Sequence, residues 1–394
     1  MITLLLALIY LAFISLGLPD SLLGSAWPVM HAQFGAPLSF AGAVTMVIAG
    51  CTICSSLLSD RLTSKLGAGL VTAVSTLMTA AALFGFSKSS AAWMLCVWAV
   101  PYGLGAGAID AALNNYVALH YNSRHMNWLH CFWGVGAAIS PYIMGYCLTG
   151  GYGWEFGYTS VSVLQAAIAI ILFASLPLWK LHKAGAGAAA ERTPPRKLSD
   201  IIRLKGVKVV LIAFFAYCAV ETTTGLWASS YLVLHRGISP DVAARYASLY
   251  FLGITAGRFL SGFIATKIGD RNMIRIGVAG MTAGILMILL PVKSGWVGLY
   301  GLVVAGFGSA PVYPSIIHST PVNFGAENSQ AVIGLQMAGA YTGSTLMPPL
   351  FGLIANHISI GVYPYYLLLI AVLLVIMTER LNRTVGRAGL QVTG

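Results

Sequence analysis

Charged side chains are what this sequence has least of. Asp, Glu, Lys and Arg make up 8% of its 394 residues, whereas hydrophobic residues make up 58%. Because a soluble domain is about one quarter charged, this composition excludes a water-soluble fold. Apolar runs recur along the whole length, which leaves room for roughly a dozen spans of about twenty residues each. The composition therefore predicts a polytopic, all-α membrane protein.

The sequence also lacks the patterns on which enzymes and receptors depend. It contains no metal-ligand constellation, nucleophile–base pair or cofactor motif, so we expect no catalysis, no cofactor and no metal site. The glycines of residues 103–108 lie within a span with no strand before them, and indicate close helix packing, not nucleotide binding. All six cysteines, including Cys51 and Cys54 of a CxxC pattern, fall in apolar segments and are interpreted as packing residues. A receptor or scaffold would need a larger soluble segment than this chain offers.

Basic residues are unevenly distributed along the chain. If the N-terminus is cytoplasmic, the opposite side carries only four of the 22 Lys and Arg residues, and Arg258 lies within a span. The remaining 17 lie on the cytoplasmic side. The positive-inside rule therefore predicts two cytoplasmic termini and a basic surface that faces anionic lipid headgroups, not nucleic acid. We expect a monomer in the plasma membrane of a bacterial cell.

The apolar segments predict twelve spans. They cover approximately residues 3–32, 38–60, 67–88, 91–121, 125–150, 156–180, 207–235, 240–266, 272–292, 295–319, 325–356 and 360–381. The first has no basic leader region and contains an acid, so we interpret it as a retained helix and not as a cleaved signal peptide. Residues 183–205 are rich in Gly, Ala, Pro and charge, and are predicted to be a cytoplasmic linker that ends in a short amphipathic segment. The predicted domains are a six-helix bundle over 1–182, this linker, a second six-helix bundle over 206–382 and a cytoplasmic tail over 383–394.

The two predicted bundles share landmarks at a nearly constant spacing. The pairs are Asp20 and Glu221 (offset 201), Gly103 and Gly306 (offset 203), and Gly136 and Gly339 (offset 203). Such a constant offset favours duplication of a six-helix unit over chance matches among abundant glycines. Duplicated helical bundles are typical of carriers that work by alternating access around a midplane site.

Three acids lie inside apolar segments: Asp20, Asp110 and Glu221. An ionised carboxylate near mid-bilayer is costly unless it faces a polar cavity or is protonated. Such acids mark ion or substrate paths more often than packing sites, so all three are candidate proton-coupling groups. Three threonines follow Glu221, which could also bind a cation or pair with Arg258. The sequence leaves these alternatives open.

Polar residues of the fourth span predict contacts to a hydrophilic solute. Asp110 and Asn114 are one helical turn apart and share a face, and Asn115 is adjacent. A carboxylate and two amides at similar height offer the donors and acceptors that sugar hydroxyls need. A satisfied packing cluster between helices is the structural alternative.

The fifth span adds a second set of polar and aromatic residues. Asn127 and His130 lie on one face, and Trp133 adds an aromatic surface suited to the C–H face of a sugar. Trp27 lies seven residues after Asp20, on nearly the same face, although interfacial anchoring is an alternative for it. The predicted substrate contacts are Asp20, Trp27, Asp110, Asn114, Asn115, Asn127, His130 and Trp133.

Charged segments follow the second and eighth spans and are predicted to be short turns. Asp60 and Arg61 belong to the first, Arg271 to the second, and Arg258 precedes the second within a span. These four residues are the predicted conformational latch. A purely structural latch and an element that couples transport to conformation remain alternatives. Arg258 needs a carboxylate or carbonyl partner because it lies in an apolar environment.

The charged segments, the repeated six-helix pattern and the basic central linker together resemble the major facilitator superfamily. The segments depart from its usual motif, with Ser56 and Thr63 in place of glycine and Thr266 in place of aspartate. Within that superfamily, three stretches are similar to the fucose:proton symporter branch, which includes glucose carriers. They are Asp20-Ser-Leu, Asp110-Ala-Ala-Leu-Asn114 and Asn127-Trp-Leu-His130-Cys-Phe-Trp133-Gly134.

This resemblance implies a function. It implies proton-coupled symport of a neutral, hexose-like sugar, with Asp20 as the proton-coupling acid and Asp110, Asn114 and His130 as substrate contacts. The branch has Glu at the position of Asp110, and its fucose carrier has an amide at that of Trp133, so a different sugar or a non-sugar is compatible. The alternative is a proton-coupled drug antiporter on the same fold, which would need a larger apolar cavity. The expected partners are a small-molecule substrate, protons and the lipid bilayer.

Overall fold

The backbone is almost entirely helical wherever the structure describes it. The computed structural model describes residues 2–37, 39–179, 197–290 and 296–391, and contains no strand within these ranges. Eleven helical stretches in them are long and apolar enough to cross a membrane. The 32-residue helix Ala326–His357 adds a further long helix. The chain is therefore an all-α, multi-pass membrane protein, and the predicted fold class is confirmed.

The chain divides into two compact units. The first comprises Met1–Tyr116 and Leu129–Pro195, and the second comprises Val117–Trp128 and Arg196–Gly394. Along the first half of the chain the helices are α1 (Ile2–Gly17), α2 (Leu22–Gln33), α3 (Phe40–Leu66), α4 (Ala68–Ser87), α5 (Ala92–His120), α6 (Ser123–Thr149) and α7 (Gly153–Ala174). Along the second half they are α8 (Leu198–Arg203), α9 (Val207–Leu234), α10 (Pro240–Ile268), α11 (Asp270–Leu289), α12 (Trp296–Ser309), α13 (Val312–His318), α14 (Thr320–Phe324), α15 (Ala326–His357) and α16 (Tyr363–Gln391). The predicted linker lies outside the described residues up to position 196, and α8 forms at its predicted amphipathic end.

The first predicted span is two helices and not one. α1 ends at Gly17 and α2 begins at Leu22, so Asp20 lies in the turn that separates them. Pro19 has no backbone N–H to donate, and it disfavours helical geometry in the residue before it. The turn is closed by the Asp20 amide, which donates to the Gly17 carbonyl at 3.2 Å. The break therefore places an acid at the middle of an otherwise apolar span.

The charged segment after the second span is helical, so its prediction as a turn is wrong. α3 continues to Leu66, and Asp60 and Arg61 lie in its last two turns. No Gly or Pro lies between Gly50 and Gly67, so nothing interrupts the helical hydrogen bonds when the side chains become polar. The eighth span behaves in the same way, because α10 continues to Ile268.

A single glycine follows each of these two helices. Gly67 joins α3 to α4 with φ 80° and ψ 154°, and Gly269 joins α10 to α11 with φ 79° and ψ 151°. Glycine adopts such positive φ values without the strain that a Cβ would cause. The two positions are 202 residues apart, which lies within the range of offsets that the sequence predicts for a duplication.

Close helix approach in each unit also follows the predicted repeat. In the first unit, a Cβ on Gly103 of α5 would overlap the Ile48 carbonyl oxygen of α3. In the second, a Cβ on Gly306 of α12 would overlap the Tyr250 carbonyl oxygen of α10. Small residues let membrane helices pack backbone against backbone. The predicted glycine pair thus has the same packing role in both units.

Candidate functional site

Asp20 is an accessible acid in the middle of the span that covers residues 4–33. The Tyr102 hydroxyl donates to its Oδ1 at 2.8 Å, and the Trp133 indole N–H donates to its Oδ2 at 3.0 Å. Both donors are neutral. Among the described residues, no basic side chain lies within 4.0 Å of this carboxylate. Asp20 is therefore oriented by hydrogen bonds and can gain or lose a proton without breaking an ion pair.

A tight crossing of α1 and α6 positions this group. A Cβ on Gly17 would overlap the Trp133 carbonyl oxygen, and a Cβ on Gly136 would overlap the Ile14 carbonyl oxygen. The two helices meet without side chains between them, so the Trp133 backbone lies directly against the end of α1. The indole ring can then reach the turn that holds Asp20. Glycine at both contact points is what brings the two residues together.

Three predicted substrate contacts form one buried chain of hydrogen bonds. The Asn114 amide nitrogen donates to Asp110 Oδ1 at 2.7 Å, and His130 Nε2 lies 3.0 Å from Asn114 Oδ1. An amide oxygen only accepts, so Nε2 of His130 must carry the hydrogen. All three side chains are buried, and the Phe13 and His130 rings are nearly perpendicular, with their centroids 5.4 Å apart. This chain of hydrogen bonds links α5 to α6 inside the first unit.

The other three predicted contacts, Trp27, Asn115 and Asn127, have surroundings of their own. Trp27 is buried, and its ring lies 6.2 Å from that of His31 and 6.3 Å from that of Phe40. Asn115 is buried on α5. Asn127 belongs to the second unit, where its amide nitrogen donates to the Ser123 carbonyl at 2.9 Å. The substrate role of these three residues stays a prediction.

Glu221 pairs with Arg258 in the second unit. The distance from Arg258 Nη2 to Glu221 Oε1 is 3.4 Å, and the two side chains are 5% and 18% exposed. The Tyr250 hydroxyl donates to the Glu221 backbone carbonyl at 3.3 Å. Of the alternatives that the sequence left open for Glu221, the structure shows the pairing with Arg258.

The remaining latch residues form no ion pair within 4.0 Å in the described parts of the chain. These residues are Asp60, Arg61 and Arg271. The neighbouring Asp270 does pair, with His318 Nδ1 at 2.6 Å from its Oδ2. This pair is not predicted from the sequence, although Asp270 belongs to the charged segment itself. Tyr102 is not predicted either, and its only signal in the sequence is its position about two turns before Asp110 on the same helix.

The chain matches known proteins over most of its length. A sequence model of the Major Facilitator Superfamily matches residues 9–243 and 209–382. The cis,cis-muconate transport protein of Acinetobacter baylyi is 24% identical over 278 residues, which cover 66% of this chain and 64% of that protein. The hexuronate transporter of Bacillus subtilis is 25% identical over 264 residues, with coverage of 64% and 60%. The chain thus spans less than two thirds of the length of these curated relatives.

Solved structures resemble the whole chain. The fucose:proton symporter FucP in its outward conformation superposes with a TM-score of 0.73 at 16% identity, and the match covers 95% of this chain and 98% of FucP. The proton:xylose symporter XylE superposes with a TM-score of 0.78 at 13% identity, with coverage of 96% and 95%. At these identities the likeness shows the fold.

Proposed function

Because the chain belongs to the Major Facilitator Superfamily, we propose that it is a secondary active transporter that carries a neutral, hexose-like sugar together with protons. It is not an enzyme, in agreement with this family and with its transporter neighbours. The observation that carries the proposal is the state of Asp20, an accessible carboxylate at mid-span with two neutral donors. Such a group can bind a proton from water and release it again during each cycle.

The proton would control when the site can close. An ionised Asp20 is stable only while water or polar groups solvate it, because burying an unpaired charge in a low dielectric is costly. Protonation removes that charge, and the site can then be occluded. Release of the proton on the other side resets the carrier. In this proposal proton binding selects between the states of an alternating-access cycle.

The surroundings of Asp20 favour a neutral solute. Sugar hydroxyls can donate to its carboxylate oxygens, and the Trp133 ring offers an apolar face to sugar C–H groups. An anionic solute would meet an unneutralised carboxylate here, and Arg258 is already paired with Glu221. The buried Asp110, Asn114 and His130 would reach the solute when a sugar hydroxyl replaces the bond between Asn114 and His130. The structural neighbours XylE and FucP are a proton:xylose and a fucose:proton symporter.

We further propose that the protein acts as a monomer in the plasma membrane with both termini in the cytoplasm. The 17 basic residues on the predicted cytoplasmic side support this orientation. Alternating access would then move the solute past the duplicated bundles predicted from the sequence.

A ligand screen tests the substrate class. Purified protein is heated with monosaccharides, hexuronates and lipophilic cations at an acidic and at a near-neutral pH, and its melting temperature is recorded. We expect a stabilising shift with a neutral hexose, because a ligand that binds the folded state raises its stability. Stabilisation by lipophilic cations alone would overturn the sugar proposal in favour of a drug antiporter.

The substitution Asp20→Asn tests the proton mechanism. The amide cannot exchange a proton, so uptake driven by a pH gradient should be lost while sugar-for-sugar exchange across vesicles survives. Asp200→Asn, at an exposed position of helix α8, is the matched control and should leave both activities unchanged. Normal sugar accumulation by the Asp20→Asn variant would contradict the assignment of Asp20 as the coupling acid.

A further inference from the structure

Both ring nitrogens of His318 are engaged at the start of α11. Nδ1 lies 2.6 Å from Asp270 Oδ2, and Nε2 lies 3.1 Å from the backbone carbonyl oxygen of Tyr121. Tyr121 lies in the α5–α6 junction, by which we mean residues 117–128: the end of α5, the turn after it and the start of α6. This junction belongs to the same compact unit as α11 and α13. His318 therefore bridges this junction to the first residue of α11.

These two contacts require one proton more than a neutral imidazole and a carboxylate provide. A backbone carbonyl can only accept, so Nε2 must carry a hydrogen. An ionised carboxylate can only accept as well, so Nδ1 must carry a second hydrogen or Oδ2 must be protonated. In either case the pair of Asp270 and His318 holds one extra proton. If that proton leaves, one of the two contacts becomes an acceptor facing an acceptor.

The junction has a second anchor that needs no proton. The Trp128 indole N–H donates to the Phe259 carbonyl at 3.2 Å, and its ring packs against that of Phe263 at 5.5 Å. A Cβ on Gly262 would overlap the indole, so α10 provides a fitted slot for it. Loss of the proton would thus loosen one end of the junction and leave the other end attached.

We propose that Asp270 and His318 form a one-proton clamp that holds the α5–α6 junction onto α11 and α13. The clamp closes when the pair is protonated and loosens when the pH rises and the proton leaves. Tyr121 lies seven residues after Asn114 and nine before His130. The clamp therefore fixes the turn between the two helices that share the buried Asp110, Asn114 and His130 chain.

Other titratable groups lie on the junction, on α11 and on neighbouring helices, and their titration must be distinguished from that of the clamp. The junction carries His120, Arg124 and His125, and the His125 ring lies 5.6 Å from that of Tyr121. α11 carries Arg271 and Arg275, and Arg275 is bound to Glu379 of α16 at 2.6 and 2.7 Å. Glu327 at the start of α15 accepts from Asn328 at 2.9 Å. In the described residues, the carboxylate that lies within 4.0 Å of His318 is that of Asp270.

Spin-label mobility at the junction tests the clamp on the full chain in lipid nanodiscs, without any substrate. The label is attached to an Asn122→Cys variant, an exposed position, in a background that has the six native cysteines replaced. Between about pH 5.5 and about pH 8.5, which spans ordinary histidine titration, we expect the label to become mobile. The ratio of mobile to immobile label should rise roughly 10- to 100-fold, as for loss of one hydrogen bond to a charged group.

Asp270→Asn is the decisive variant. Its amide can donate to Nδ1 of a neutral His318 while Nε2–H still donates to Tyr121, so the label should stay immobile at every pH. His125→Gln should keep the wild-type transition. Trp128→Phe should raise mobility at all pH values and leave the transition midpoint in place.

Three results would overturn the proposal. They are a wild-type label whose mobility does not change with pH, an Asp270→Asn variant that keeps the wild-type transition, and a His125→Gln variant that loses it. If Asp270→Asn fails to fold, His318→Gln replaces it, and persistence of the wild-type transition in that variant is equally contrary. Because the readout needs no transport, the clamp can fail while the proposed sugar symport stands, and the reverse also holds.

Discussion

Two acids at matched positions of the predicted repeat have different surroundings. Asp20 accepts from Tyr102 and Trp133 and is accessible, whereas Glu221 faces Arg258 and is mostly buried. A carboxylate with neutral donors can change its charge at little structural cost. Removing the charge of a carboxylate that pairs with a buried guanidinium would leave that guanidinium without its partner. The first half thus has an acid with neutral donors at the position where the second half has an ion pair.

Removing the Tyr102 hydroxyl should change how uptake depends on pH. A hydrogen bond to a carboxylate favours its charged form, so in Tyr102→Phe the pH at which uptake is half-maximal should rise. Tyr158→Phe is the control, since Tyr158 is also buried in the first unit and its hydroxyl has no recorded partner among the described residues. The measurement is sugar uptake as a function of pH in proteoliposomes at fixed voltage. Identical pH profiles for Tyr102→Phe and the wild type would count against a coupling role for this hydrogen bond.

Breaking the buried ion pair should destabilise the protein far more than breaking an exposed one. Glu221→Gln leaves Arg258 charged and buried, which typically costs about 3–5 kcal/mol. Glu379→Gln breaks the exposed pair with Arg275, whose side chain is 46% exposed, and should melt close to wild type. Thermal unfolding in detergent compares the two. Equal melting temperatures for both variants would show that the Glu221 pair is not structurally important.

At the scale of helices, the apolar runs predict where spans lie but not where helices begin and end. α3 extends beyond its apolar segment and includes Asp60 in its last two turns, because the backbone hydrogen bonds continue after the side chains become polar. The break at Pro19 is no easier to foresee, since Pro28 and Pro101 lie inside continuous helices. Whether a proline ends a helix depends on tertiary packing, which a single segment does not encode.

The glycines after α3 and α10 should be intolerant of alanine. The combination of φ near 80° with ψ values of 154° and 151° is essentially restricted to glycine, so Gly67→Ala and Gly269→Ala should each lose about 1–3 kcal/mol of stability. Gly50→Ala is the matched control, because Gly50 is helical, exposed and has open space around its Cβ position. Thermal melts of the three variants test this, and wild-type stability in Gly67→Ala would be contrary to the expectation.

At the scale of the whole molecule, composition was enough to predict the fold class, and the rarity of carboxylates was enough to single out the intramembrane acids as candidates. Carboxylates stand out because so few occur in apolar segments. Their partners do not stand out: Tyr102 and Trp133 look like ordinary aromatic residues until the α1–α6 crossing brings them to Asp20. His318 and Asp270 are 48 positions apart, and only the packing of the helices brings them within hydrogen-bond distance.

The predicted orientation can be tested with two exposed serines, one just before α4 and one just after it. Ser64 lies on the predicted cytoplasmic side and Ser90 on the other. In a background without native cysteines, a membrane-impermeant maleimide added to intact cells should label Ser90→Cys and spare Ser64→Cys. Permeabilised cells, in which both should react, provide the control. The reverse pattern in intact cells would place the termini outside.

The neutral partners of Asp20 also determine how membrane voltage would act on the proposed carrier. Because no basic side chain lies within 4.0 Å of Asp20 in the described parts of the chain, the empty site would bear one negative charge, and the site loaded with a proton and a neutral sugar would bear none. An interior-negative potential contributes about 2.3 kcal/mol per elementary charge per 100 mV, so it would act on the return of the empty carrier. Currents should then be limited by that return step, and depolarisation should slow turnover without weakening sugar affinity.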